Sequence, residues 1–170
     1  LAYAALAKAE GAVLREGVEA AKLLERNGKV LGILTTEGEE ILGDGNVLLL
    51  CNAGLKGLVS PRIDLPVWSR TFLVAISRPL ENNPARHLVG HASRTLSLKR
   101  EPDGRLMISG GRPGNWDPAT RSGKPIQKEV DLNVADAVAT FPSLEGIQIE
   151  TADANHLEAE SIDHIPIIDS

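Results

Sequence analysis

The chain has 170 residues, with 18 Lys and Arg against 23 Asp and Glu and a formal charge of -5. No basic cluster longer than a pair occurs, which argues against nucleic acid or an anionic membrane surface as partner. A single cysteine, Cys51, excludes an internal disulfide framework and fits a reducing compartment; the expected location is the cytoplasm. No apolar run is long enough to span a bilayer, and no signal peptide is visible. Length alone predicts one domain or two small ones, with enough chain for a real core.

Leu1 to Glu10 is rich in strong helix formers and stops at Gly11. Ala12 to Glu16 reads as a short strand ending at Gly17. Val18 to Arg26, the turn Asn27-Gly28, Lys29 to Thr36, the turn Glu37-Gly38 and Glu39 to Leu42 read together as a three-stranded meander. Asn46 to Gly54 is the organising stretch. Its run Val47 to Cys51 is apolar without alternation, the pattern of a strand buried on both faces of a parallel sheet. Ligands gather at the carboxyl ends of such strands, and the small residues Asn52, Ala53 and Gly54 stand there.

Beyond Ser60 the texture changes, with Pro61, Pro66 and Pro79 as punctuation. Trp68 to Ile76 reads as one long strand, and Leu88-Val89 and Ser93 to Lys99 as two more. Pro102-Asp103-Gly104 is hairpin chemistry leading into Arg105 to Ser109. Gly110 to Lys124 reads as an irregular surface loop, Gln127 to Thr140 as a helix stopped by Pro142, and Ile147 to Glu150 as a further strand. The tail closes with Ile165-Pro166-Ile167-Ile168. The expected fold class is α+β: a partial α/β portion of β-α-β type with a β-meander over residues 1–58, an antiparallel-sheet domain over 62–155, and a closing segment over 156–170. The chain starts at Leu1 in helical pattern, which suggests a piece of something longer.

Few constellations carry chemistry on their own. His87 and His91 are four apart but lack further ligands at metal spacing, so no metal site is expected. Gly110-Gly111-Arg112-Pro113-Gly114 follows a strand with no helix after it, unlike a phosphate cradle. Cys51 in an apolar run reads as inert packing. No nucleophile elbow and no Ser/His/Asp set appears. Ser97 and Lys99, two apart on a strand, share one face, facing solvent or a ligand.

The ordered set of segments resembles the middle of FAD-dependent oxidoreductases of the D-amino-acid oxidase type, to which glycine oxidase and sarcosine oxidase belong. The segments are Gly11-Ala12, Arg15-Glu16-Gly17, Gly28 to Ile33, Thr36-x-Gly38, Val47 to Gly54, Pro102 to Gly111 and Asp163 to Asp169. The resemblance implies a parent enzyme that takes a hydride from the carbon beside an amine nitrogen and passes it to FAD, with an amine or amino acid as substrate. It also implies that the strand-turn-helix with Gly-x-Gly-x-x-Gly and the closing flavin loop lie in missing N- and C-terminal segments of the same polypeptide. On that basis the chain alone is expected to bind FAD weakly or not at all.

Position by position, the resemblance sets Ala20 beside the adenine and Asn52, Ala53 and Gly54 near the adenosine diphosphate, and Asp163 opens the re-entry toward the FAD domain. Ser97 and Lys99 stand where the family often has Tyr-x-Arg, and Glu158 stands where some members carry an Arg that grips the substrate carboxylate. His156 falls where sarcosine-type members carry a flavin-linked Cys. Lys99, Ser97 and Arg70 are the expected substrate-wall residues, and no catalytic residue is assigned. A binding module without redox function, and a degenerate scaffold member of the family, are the alternatives.

Overall fold

The computed structural model describes residues 2–60 and 62–168. Pro61 and Asp169, part of the punctuation and the re-entry motif expected above, lie outside the described residues. The chain divides into two compact units, Leu1–Leu65 and Pro66–Ser170, each taken by itself below.

The first unit opens with helix α1 (Ala2–Ala9), which buries none of its residues. The meander follows as expected: β1 (Ala20–Arg26), β2 (Lys29–Thr35) and β3 (Glu40–Leu42) form an antiparallel sheet in that order. Its first turn is set by Asn27 and Gly28, both with positive φ (52° and 76°), the backbone that a two-residue hairpin loop of the primed type demands. Ala12 to Glu16 is not a strand. The stretch finds no neighbouring strand to complete a ladder, and Arg15 instead forks onto Glu39 at 2.9 and 2.7 Å.

The largest departure concerns Val47 to Cys51. These residues form no strand; Leu48 and Leu50 are 79% and 80% exposed and Cys51 is exposed too. An unalternating apolar run earns its burial only from sheet neighbours on both sides, and the described residues of this unit supply none. After it comes a 3₁₀ turn (Asn52–Gly54) and the short helix α2 (Leu55–Val59), an element that the sequence did not signal. Val59 is the one buried hydrophobic among the described residues of this unit.

The second unit holds the core. Its strands are β4 (Val67–Thr71), β5 (Val74–Ser77), β6 (Val89–Gly90), β7 (Ser97–Arg100), β8 (Leu106–Ser109), β9 (Gly114–Asp117), β10 (Ser122–Pro125), β11 (Ile149–Asp153) and β12 (Leu157–Ser161). Helix α3 (Gln127–Thr140) matches the expected range. A five-stranded antiparallel sheet runs β11-β5-β8-β7-β6, and two ribbons, β10-β9 and β12-β4, complete the unit.

Register explains the layering. Ala152, Ala75, Ile108, Leu98 and Val89 are successive cross-strand partners, so they share one face, and Ala75, Ile108 and Leu98 are fully buried. Val130 and Ala137 of α3 close over that face in the same apolar cluster, with Leu73, Leu96, Leu106 and Leu144. The opposite face carries the row Thr151, Ile76, Met107, Lys99, none of it buried.

Three expectations change here. Trp68 to Ile76 is two strands, not one: β4 pairs with β12 and β5 with β11 and β8, and between them Phe72 bridges Pro113. Gly110 to Lys124 is not wholly irregular, since β9 and β10 make a hairpin within it. That hairpin lies hard against the corner after β11. A Cβ on Gly123 would overlap the Ala154 carbonyl oxygen, and Gly123 N–H donates to Asn155 Oδ1 at 2.7 Å. The strand expected at Ser93 starts at Ser97; before it, His91 Nδ1 accepts the backbone N–H groups of Ser93 and Arg94, both at 3.1 Å, and holds the turn. Ile165 to Ile168 is exposed and irregular.

Candidate functional site

The five-stranded sheet of the second unit has one open face. α3 seals one side, and the other presents a half-buried apolar strip, Ile76 and Met107, ending at a cation, Lys99. Ser97 lies two residues before Lys99 on β7 and pairs with Ser109; its half-buried side chain shares the Lys99 face, while Leu98 between them points into the core. Ser109 Oγ donates to the Leu73 carbonyl at 3.0 Å, which fixes that rim. Lys99 Nζ sits 3.1 Å from Glu101 Oε1, so an anionic ligand must compete with a carboxylate for it.

Arg70 lies elsewhere, on the β4-β12 ribbon rather than on this sheet. Its guanidinium stacks over Phe72 at 5.2 Å from the ring centre and donates to Glu160 Oε2 at 2.8 Å. The same carboxylate accepts the Trp68 indole N–H at 3.1 Å, and its other oxygen lies 3.0 Å from His164 Nδ1. The Arg70 guanidinium, chiefly through its hydrogen bond, holds the Glu160 carboxyl below the usual carboxylate range. Nothing in the sequence singled out Glu160; the register that brings it opposite Trp68 is set by pairing across more than ninety residues. Glu158 faces Arg70 across the ribbon and is exposed. His156 is 78% exposed, with Nε2 at 3.3 Å from Asp153 Oδ2.

Of the expected nucleotide-side residues, Ala20, Asn52, Ala53 and Gly54 lie in the first unit and Asp163 in the second. Ala20 opens β1, half-buried, with Thr35 as its partner. Asn52, Ala53 and Gly54 form the 3₁₀ turn; a Cβ on Gly54 would meet only Cys51 Cβ at 3.8 Å, an ordinary contact, so no close backbone approach demands glycine. The helix after this turn is five residues long and has no side-chain cap. Asp163 belongs to the other unit, and its carboxylate accepts the Ile165 N–H at 3.1 Å, the bond that chiefly lowers its pKa. A pyrophosphate needs convergent N–H donors at a helix start; in the first unit the turn Asn52–Gly54 leads only into the five-residue, uncapped helix α2. Among the same residues no group of three or more His, Cys, Asp or Glu is placed to hold a metal, and no helix is long and apolar enough to cross a membrane.

A second polar network escaped the sequence reading altogether. Arg112 bridges Glu129 (3.1 Å) and Asp136 (2.6 Å) on α3, and Arg94 reaches Asp136 at 3.2 Å. The only signal for it was Asn133, a polar residue among Val130, Val134 and Ala137 at a core position of the helix.

The model of one family, FAD dependent oxidoreductase (DAO), matches residues 1–170, and the chain belongs to that family. Among solved structures, it is similar to L-proline dehydrogenase from P. horikoshii, at 20% identity and a TM-score of 0.80, covering 99% of this chain and 45% of that one. Glycine oxidase from Geobacillus kaustophilus superposes with a TM-score of 0.71 at 17% identity, over 94% of this chain and 41% of that one. L-Amino acid deaminase from Proteus myxofaciens gives 0.71 at 16%, over 97% and 47%. The chain thus spans less than half the length of each of these structures. No curated protein sequence matches it.

Proposed function

We propose that the whole protein oxidises an amine or amino acid, and that the open face of the β11-β5-β8-β7-β6 sheet is one wall of its substrate site. The observation that carries this reading is the asymmetry of that sheet. One face is closed by α3, while the other offers an apolar strip, Ile76 and Met107, next to a hydroxyl and a cation, Ser97 and Lys99. Apolar lining with a few fixed polar groups is how small-molecule sites are built. Lys99 would pair with a substrate carboxylate as a point charge, exchanging Glu101 for it; Ser97 would add one hydrogen bond. Arg70 stands off this face, on the β4-β12 ribbon over Phe72, and would meet a substrate only from there, after giving up Glu160. The substrate class is supported by the fold shared with proteins named for proline, glycine and L-amino acids.

The test uses the full-length protein loaded with FAD, mixed without oxygen with L-proline, glycine, sarcosine and D-alanine. Bleaching of the flavin absorbance by one of them is the expected result. Lys99→Ala should then raise KM roughly tenfold with little change in kcat, the signature of lost ground-state binding. No bleaching by any amine or amino acid would favour the second reading, a ligand-binding module without redox chemistry. That reading draws support from the engagement of both expected cations with carboxylates, Lys99 with Glu101 and Arg70 with Glu160.

A further inference from the structure

Beneath the Arg112 bridge lies an unexplained polar site. Asn133 is fully buried, and neither its Nδ2 nor its Oδ1 has a hydrogen-bond partner; Arg112 Nε is buried and unpartnered as well. A buried polar atom left without a partner loses its hydration with nothing in return, so three of them at one place call for an occupant. They are at one place because Glu129, Asn133 and Asp136 lie on one stripe of α3. Arg112 grips the first and the last, so helical spacing puts Asn133 on the stripe that its guanidinium spans.

Charge and donor count select the occupant. Arg112 and Arg94 balance Glu129 and Asp136, so the site is neutral overall and favours neither a cation nor an anion. The unmet groups are donors on Arg112 Nε and Asn133 Nδ2 and an acceptor on Asn133 Oδ1. A guest that gives each of these atoms one partner must accept two hydrogen bonds and donate one. Water does so, closing a ring with a primary amide by accepting from its N–H and donating to its carbonyl, while its second lone pair takes the Arg112 Nε–H.

We propose that Arg112 and Asn133 form a binding site for one internal water molecule that ties the loop after β8 to α3. Three hydrogen bonds is the usual complement of a buried water. The loop matters because the Arg112 carbonyl accepts the Leu73 N–H at 2.8 Å, and Leu73 leads directly into β5, a strand of the open-faced sheet. The inference does not depend on the proposed reaction.

Asn133→Leu in the full-length, FAD-loaded protein gives a test of opposite signs. Leucine matches asparagine in shape but cannot hold the guest, so a water site leaves Arg112 Nε stranded, and Tm falls by at least about 2 °C. If the site is dry, the same change removes two unpaired buried atoms, and an unchanged or raised Tm overturns the proposal. Should the variant fail to fold, a high-resolution crystal structure of the unaltered protein decides. A density peak within about 3.2 Å of Arg112 Nε and of both Asn133 amide atoms supports the water; direct contact between the two side chains with no peak refutes it.

Discussion

At the scale of single residues, the carboxylates of this chain are anchors for cations. Asp136 is the clearest case. Hydrogen bonding from Arg112 first, and from Arg94 after it, lowers its pKa against the opposing cost of burial. A carboxyl whose folded pKa lies below its unfolded value adds stability above the unfolded value of about 4, and that stability drains away as pH falls toward the folded pKa. Acid denaturation followed by circular dichroism should therefore show stability falling below about pH 4. Asp136→Asn should flatten that part of the profile while lowering stability at neutral pH. An unaltered acid limb in the variant would mean that other groups govern it. Little of this was legible beforehand. Arg112, Glu129 and Asp136 are ordinary surface types in sequence, and the loop that delivers Arg112 to α3 is positioned by contacts far along the chain. Ser97 and Lys99 were legible as a face because alternation along a strand is local. Lys99 pairs with Glu101 only two residues on, a contact within reach of a short window; the separation of Ser97 and Lys99 from Arg70 depends on strand pairing that no short window encodes.

At the scale of elements, local chemistry predicted well wherever the element is its own explanation. The Asn27-Gly28 turn is such a place. Both residues take positive φ, which glycine tolerates and which costs a β-branched residue about 1–2 kcal/mol. Gly28→Val should lower Tm of the protein by a few degrees without touching a buried contact, whereas Gly28→Asn should be close to neutral. Helix α3 was readable for the same reason, its apolar positions recurring at helical spacing. The failures share the opposite character. Trp68 to Ile76 is continuous in β-forming residues, yet Phe72 and Leu73 break it because its two halves serve different sheets. Gly114 and Gly123 looked like loop residues, but they are strand residues whose missing side chains let the β9-β10 hairpin close on Ala154. Gly123→Ala should therefore disrupt the hairpin far more than an exposed strand glycine would, seen as lost protection of the Gly123 amide in hydrogen exchange. Retention of that protection would show that the corner can yield.

At the scale of the whole molecule, the distribution of buried surface separates the two units. The second has a contiguous cluster from Leu73 to Leu144; among the described residues of the first, Val59 alone is a buried hydrophobic. Exposed apolar side chains concentrate in the first: Tyr3, Leu6, Val13, Leu48, Leu50 and Ile63 are all more than half exposed. Stability follows buried apolar area, so in the 170-residue chain studied alone the meander amides should exchange orders of magnitude faster than those of β5, β7 and β8. The apolar run misread as a buried strand has its own consequence. Leu48 and Leu50 present exposed apolar side chains on a segment without ladder partners, a surface that recruits further chains and self-associates. The isolated chain should run above its monomer mass in light scattering, increasingly so at higher concentration. Leu48→Lys with Leu50→Lys should restore the monomer mass and leave the slow-exchanging amides of the second unit unchanged. If the double variant associates as strongly as the parent chain, the run is not the adhesive surface, and the exposed face of α1 becomes the next segment to test.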